Sequence, residues 1–132
     1  MQIDTVENIS VVEQLQNGFT LHARTHAEHL AKVYVIKKPN EVGEFIGENL
    51  FLLDILEEIP GKIYQYFGEN QKLSLKMSYD PDFPQSSDLW VSILTKLSVE
   101  EVFPLLEKFD EEWWLDNLDR ANCKLNIKLE YI

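Results

Sequence analysis

The sequence contains 132 residues, of which 45% are hydrophobic and 11% aromatic, and its formal net charge is −11. This composition excludes a disordered chain, because such chains have too few apolar residues to build a core. The negative charge disfavours binding to nucleic acid and to anionic membranes, since both carry the same sign of charge. No apolar run approaches the roughly 20 residues that a membrane-spanning helix needs.

The N-terminus and the cysteine content predict a cytoplasmic location. The first ten residues, MQIDTVENIS, have neither the basic region nor the apolar core of a signal peptide. The single cysteine, Cys123, cannot form an internal disulfide, so folding does not require an oxidising compartment. The length fits one domain over residues 1–132.

Residues 1–39 have the least regular pattern, and we expect them to lie at the periphery of the domain. Residues 5–16 carry apolar side chains at helical spacing, although Val11 and Val12 could equally belong to a strand. Residues 25–36 begin as a helix and end in β-branched residues, which leaves a strand open at that end.

Residues 40–67 predict two helices, of which the second lies in the centre of the domain. Gly47 interrupts the first helix, and Asn49 can cap the second. The second helix is apolar on almost every face, which is typical of a buried helix. We expect Pro60–Gly61 to break or kink it, because proline lacks the N–H of the helical ladder, and Gly68 to end it.

Strict alternation of apolar and polar residues predicts three strands, at about 72–79, 89–95 and 124–131. Alternation of this kind indicates a sheet that is buried on one face. Ser98 and Glu101 match a capping box at the start of a helix between the second and third strands. The predicted fold is α+β: a two-layer sandwich in which helices cover one face of a small, mostly antiparallel sheet.

The string FDEEWWLDN at residues 109–117 is the most distinctive part of the sequence. With this string, and with the pattern from about Leu50 to the terminal strand, the chain resembles a family of small acidic bacterial proteins, mainly cyanobacterial, without an assigned function. The resemblance implies a bacterial, cytosolic and globular protein. It supplies no catalytic residue.

Three histidines have the spacing of metal ligands. His22, His26 and His29 are four and three residues apart, so on one continuous helix they share a face and could hold an ion such as zinc. The HExxH signature is absent, because residues 26–29 read HAEH. The alternative interpretation is surface histidines on an amphipathic helix.

The predicted outer face of the sheet gathers positive charge around apolar residues. Trp90 and Leu94 share this face with four lysines, which are Lys72, Lys76, Lys124 and Lys128. Such lysines can simply discourage aggregation at a sheet edge, with Trp90 covered by the N-terminal segment. They can also bind the acidic surface of another protein or of a second copy. A single-stranded nucleic acid is the third interpretation, which the net charge disfavours.

The segment from Glu100 to Asp119 contains eight acidic residues and one base, and it is either a solvated helical face or a docking patch. Trp113 and Trp114 are adjacent, so on a helix their side chains point about 100° apart. We expect Trp113 in the core and Trp114 at the periphery, where it could anchor an interface. The alternative is that both pack at the rim of the core.

The sequence contains no motif for nucleophilic catalysis or for phosphate binding, and no catalytic residue or cofactor is predicted. The favoured function is a non-enzymatic module that binds another protein or itself as a homodimer, and binds neither a membrane nor nucleic acid. The candidate interaction residues are Trp90, Leu94, Trp114, Glu111, Glu112, Lys76 and Lys128. The alternative function is a metal-binding protein or an enzyme that uses His22, His26 and His29.

Overall fold

The computed structural model describes residues 11–17, 24–83 and 86–132. The helices and strands follow in the order α1 (11–17), α2 (Arg24–Val33), β1 (Tyr34–Ile36), α3 (Pro39–Glu48), α4 (Leu52–Phe67), β2 (Lys72–Ser78), β3 (Asp88–Thr95), α5 (Val99–Phe109), α6 (Leu118–Ala121) and β4 (Leu125–Tyr131). A π-helical turn, Asp110–Trp114, and a 3-10 turn, Leu115–Asn117, join α5 to α6.

The four strands form one sheet in the order β1-β2-β3-β4. The three predicted strands are present within one residue of their expected bounds, and β1 is the strand left open at the end of residues 25–36. The prediction of a mostly antiparallel sheet is wrong. Only β2 and β3 are antiparallel, whereas β1–β2 and β3–β4 are parallel pairs. The reason is that each parallel pair is joined by helices, and such crossovers return the chain in the same direction.

The inner face of the sheet packs against the helices. In the register of the sheet, Leu75 pairs with Val91, which in turn pairs with Ile127. Leu75 and Val91 are fully buried, and Ile127 is half-buried and packs against the same core. The α+β class and the predicted assignment of the two faces are therefore confirmed.

Of the predicted break or kink at Pro60–Gly61, the break is wrong, because α4 continues through both residues to Phe67. Pro60 removes the N–H that would bond to the carbonyl of Leu56. In its place, the hydroxyl of Tyr34 donates a hydrogen bond of 2.7 Å to that carbonyl. A side chain from β1 thus satisfies the group that the proline leaves open, and the helix persists. Gly68 follows α4 with φ 97°, as expected of a terminating glycine.

Other expected helix features have mixed outcomes. The capping box is confirmed, since the Ser98 hydroxyl accepts from the Glu101 N–H and the Glu101 carboxylate accepts from the Ser98 N–H. Gly47 does not interrupt α3. Residues 11–17 are helical, and the rest of the predicted helix at 5–16 lies outside the described residues. The described part of residues 1–39 also contributes to the core, through Leu15, Leu30 and Tyr34.

Candidate interaction surface

The outer face of the sheet points away from the helices. We assign residues to this face from the alternation of side chains along each strand and from the register between strands. Its members are Val35, Lys72, Ser74, Lys76, Ser78, Asp88, Trp90, Ser92, Leu94, Asn126, Lys128 and Glu130. None of these residues belongs to the hydrophobic core. Val35 shows the contrast between the faces, since it is 49% exposed between the buried Tyr34 and Ile36. Apart from Ser74 and Ser92, which are buried, the members of the outer face are half-buried or exposed.

The ring of Trp90 is held in place at the centre of this face. Its Nε1 donates a hydrogen bond of 3.1 Å to Asp88 Oδ1, and the other carboxylate oxygen of Asp88 accepts from Asn126 Nδ2. The Nζ atom of Lys128 lies 5.6 Å from the centroid of the ring, which is a cation–π distance. Lys76 is the cross-strand partner of Trp90 on β2. Four polar side chains thus frame one half-buried aromatic ring.

Two serines with short side chains occupy the middle row of the outer face. Ser74 and Ser92 pair across β2 and β3, and Lys128 continues the same row on β4. Longer side chains occupy the rows on either side, so the serines form the floor of a shallow trough. Both serines are buried, and the hydroxyl of Ser92 has no hydrogen-bond partner within the described part of the chain. The Ser92 hydroxyl is thus a buried polar group that no side chain of the described residues satisfies, and it is not accessible from the surface.

The charge of the outer face is opposite to that of the whole protein. Within the strands it contains three of the four predicted lysines, Lys72, Lys76 and Lys128, and two acids, Asp88 and Glu130, whereas Lys124 precedes β4. Asp88 already accepts hydrogen bonds from its neighbours. No ion pair involves these lysines in residues 11–17, 24–83 and 86–132. A chain with a net charge of −11 thus presents a locally positive surface.

Leu94 extends the apolar part of this surface toward the other end of the strands. It is half-buried and lies in one row with Lys72 and Glu130. The interpretation in which the N-terminal segment covers Trp90 concerns a part of the chain in which residues 1–10 and 18–23 lie outside the described residues.

The prediction that Trp114 lies at the periphery is corrected by the structure. Trp113 is 8% exposed and Trp114 is 7% exposed, so the two rings are equally buried. Their centroids are 6.0 Å apart and their planes are inclined by 33°. Both belong to a π-helical turn, whose wider turn brings successive side chains closer in direction than an α-helix does. Trp114 therefore offers no exposed ring to a partner.

The acidic candidates Glu111 and Glu112 lie on the same turn and are exposed. Glu112 is engaged within the protein, because it accepts a hydrogen bond of 3.1 Å from the Tyr66 hydroxyl and lies 4.0 Å from Lys108 Nζ. Desolvation and this hydrogen bond raise the pKa of Tyr66. Neither glutamate lies on the sheet, so the structure separates the acidic candidates from Trp90, Lys76 and Lys128.

Two of the three histidines converge on one carboxylate. Nδ1 of His26 lies 2.7 Å from Oε1 of Glu57, and Nδ1 of His29 lies 3.2 Å from the same atom. The two contacts join α2, which carries the histidines, to α4, which carries Glu57. His22 lies outside the described residues. The described ranges contain no group of three His, Cys, Asp or Glu side chains arranged to hold a metal ion. In this arrangement the imidazoles serve as partners of Glu57 and link two helices.

Sequence reasoning did not find Asp88, Ser92 or Glu57. Asp88 lies just before the predicted strand at 89–95, and its position two residues before Trp90 places it on the same face because the strand begins at 88. Ser92 had a signal of the same kind, since it lies between two apolar residues of the strand. No pattern in the sequence indicates the role of Glu57, because its partners His29 and His26 are 28 and 31 residues away in the sequence.

No protein-family model, curated protein or solved structure matches this chain. In the described part of the chain, no helix has both the length and the apolar character needed to cross a membrane.

Proposed function

We propose that this protein is a non-enzymatic interaction module that binds an acidic segment of another protein on the outer face of the sheet. The observation that carries the proposal is the fixed ring of Trp90 between Lys76 and Lys128, on a sheet face that contributes nothing to the core. Tryptophan is among the residues that contribute most to protein interfaces. Here it is held in one orientation before any partner arrives, which lowers the entropic cost of binding.

The charge of the surface supports an acidic partner. The positive row around Trp90 attracts carboxylates, while the net charge of −11 repels proteins and segments that are acidic throughout. A short acidic segment can satisfy both conditions, because only the part that touches the trough needs to be negative. A nucleic acid fits less well, since its affinity depends on many phosphate contacts and this face holds three lysines.

The metal-binding alternative has less support. His26 and His29 already share Glu57 as a partner, and binding an ion would require both rings to release that carboxylate or to reorient around it. Metal analysis of the purified protein tests this alternative directly. A stoichiometric ion that disappears in the His26→Ala, His29→Ala double variant would establish the site and remove the basis of the non-enzymatic proposal.

Titration with an acidic peptide tests the proposed surface. A convenient probe is a synthetic peptide with the sequence of residues 98–112, which contains six acids and one lysine. We expect it to shift the NMR signals of the outer face, and we expect Trp90→Ala to weaken binding by roughly thirtyfold, the effect of an interface hot spot. Lys76→Glu should weaken it as well. Lys32→Glu is the matched control, because Lys32 is an exposed lysine on α2.

The same variants serve as matched baits for partners in the source cell. The partner should be recovered with the wild type and with Lys32→Glu, and lost with Trp90→Ala and Lys76→Glu. Melting temperatures must first show that each variant is folded. Peptide-induced shifts confined to the helices, or equal recovery with all four baits, would disprove the proposed surface.

A further inference from the structure

The last strand of the sheet has a free edge. β4 pairs with β3 on one side, and no strand in the described part of the chain pairs with its other side. The strand covers seven residues with a continuous register and no proline. The opposite edge of the sheet is different, because β1 has three residues only. A long regular edge is a template for a further strand, whereas a very short edge is protected.

The hydrogen bonds at the two ends of β4 show which backbone groups face this edge. The Leu89 N–H donates to the carbonyl of Lys124 at 2.9 Å, and the Ile132 N–H donates to the carbonyl of Thr95 at 3.0 Å. In a parallel pair, every second residue of a strand directs its N–H and C=O toward the neighbouring strand. The backbone groups of residues 126, 128 and 130 therefore face β3. Those of Ile127, Leu129 and Tyr131 face outward, where another strand could bond to them.

The side chains along this edge leave apolar surface uncovered. Val91 and Ile93 on β3 are fully buried, but their partners Ile127 and Leu129 on β4 are only half-buried. Tyr131, on the same face, is 51% exposed, and the following residue, Ile132, is 62% exposed. The inner face is thus less completely covered at β4 than at the centre of the sheet. A strand added at this edge would extend the apolar layer.

We infer that β4 pairs in an antiparallel manner with β4 of a second copy, about a two-fold axis at Leu129, and so extends the sheet from four strands to eight. In this register Leu129 faces Leu129 of the second copy, and Ile127 faces its Tyr131. These are the residues whose backbone groups point outward, so each pair exchanges two hydrogen bonds. Lys128 then faces Glu130 of the second copy, and the symmetry repeats that pair.

Charge selects this register among its neighbours. With the axis at Lys128, the two Lys128 side chains would face each other in a closely spaced pair. With the axis at Glu130, two glutamates would do so. Of these three axes, only the one at Leu129 pairs opposite charges, which favours the strand pairing, whereas like charges directly opposite destabilise it. The sequence Lys-Leu-Glu of residues 128–130 is therefore complementary to itself, which identifies the occupant of the edge as a second copy of this chain.

Charge reversal at these two positions tests the interface. In sedimentation equilibrium at about 150 mM salt, where repulsion between the chains is screened beyond roughly 8 Å, we expect the wild type to form a reversible dimer. Lys128→Glu and Glu130→Lys should each weaken it by about tenfold or more, because both symmetric pairs become repulsive. The double variant restores complementarity and should dimerise like the wild type. An equimolar mixture of the two single variants should form a heterodimer.

Two exposed positions away from the sheet provide controls of equal charge change. Lys32→Glu matches Lys128→Glu, and Glu69→Lys matches Glu130→Lys. Neither control should change the dissociation constant beyond the effect of net charge. A wild type that stays monomeric up to about millimolar concentration, an affinity too weak for a specific interface, would overturn the inference. A dimer that resists both single reversals, or that the double variant fails to restore, would overturn it too.

Amide exchange gives a second measurement that requires no variant. The N–H groups of Ile127, Leu129 and Tyr131 should exchange more slowly at high protein concentration, while those of the β2–β3 ladder should not change. Equal exchange at both concentrations would contradict the inference. The inference does not rest on the proposed function. Trp90→Ala should weaken peptide binding by roughly thirtyfold and leave the dimer intact, whereas Glu130→Lys should weaken the dimer without weakening peptide binding, because it removes a negative charge from the outer face.

Discussion

At the scale of single residues, the buried pair of Tyr34 and Pro60 explains how α4 crosses a proline. The hydroxyl of Tyr34 is the donor that replaces the missing N–H at the Leu56 carbonyl. Burial raises the pKa of Tyr34 well above its ordinary value, so the hydroxyl stays protonated and able to donate over the whole physiological range. The bond connects β1 to the centre of the longest described helix.

Tyr34→Phe should lower the free energy of unfolding by about 1–3 kcal/mol, because it leaves a buried carbonyl without a donor. The loss should be smaller in a Pro60→Ala background, where the restored N–H bonds to the same carbonyl. Urea unfolding of the four proteins in this cycle measures the difference. Tyr66→Phe is the control, since its hydrogen bond lies at the surface. Equal losses in both backgrounds would contradict this role of the tyrosine.

Tyr79 gives a prediction about pH. Its hydroxyl donates a hydrogen bond of 2.6 Å to Glu41, and this bond, with desolvation and the negative charge of Glu41, raises the pKa of Tyr79 to about 12. The raised pKa contributes stability that is present below pH 10, the pKa in the unfolded chain, and is lost as the pH rises toward 12. Spectrophotometric titration should show Tyr79 ionising later in the wild type than in Glu41→Gln. Identical curves would contradict the pairing.

At the scale of elements, the π-helical turn after α5 places both tryptophans against the core. Trp113→Ala and Trp114→Ala should therefore each cost about 3–5 kcal/mol, the loss typical of a buried aromatic side chain. Urea unfolding of the two variants decides the point. A loss for Trp114→Ala that is several times smaller than for Trp113→Ala would show that its ring is peripheral after all.

The packing of α1 on α3 depends on a glycine. A Cβ atom at Gly43 would lie 2.8 Å from the carbonyl oxygen of Leu15, which is a backbone atom and cannot move without shifting α1. We expect Gly43→Ala to destabilise the protein by about 1–3 kcal/mol. Gly61→Ala is the matched control inside α4. Nothing lies within 4 Å of its added Cβ, so it should stabilise the protein by about 0.5–1 kcal/mol. Thermal unfolding of both variants tests the difference in sign.

At the scale of the whole molecule, the net charge of −11 opposes the compact state. Ion pairs between the described residues are few, so screening of the general repulsion should outweigh their loss. Raising the salt concentration at pH 7 should therefore increase the melting temperature of a dilute sample. Near pH 4.6, where the net charge approaches zero, the effect should largely disappear. A melting temperature that falls with salt at pH 7 would contradict this account.

Local pattern in the sequence determined three strands, the faces of the sheet and the capping box of α5. Each of these depends on residues that are close in the chain, such as Ser98 and Glu101, or on an alternation with a period of two, which is independent of the partner strand. The lysines around Trp90 could be placed on one face for the same reason.

The tertiary structure decided what depends on residues far apart in the chain. The helical crossovers determine the direction of β1 and β4. The hydrogen bond from Tyr34 allows α4 to continue through Pro60. His26 and His29 bind Glu57, which is distant in the sequence. The burial of Trp114 follows from a π-helical turn, a conformation that helical periodicity does not reveal. For α4 and the histidines, a contact between distant segments supplies the donor or the partner, and a local pattern contains no information about such contacts.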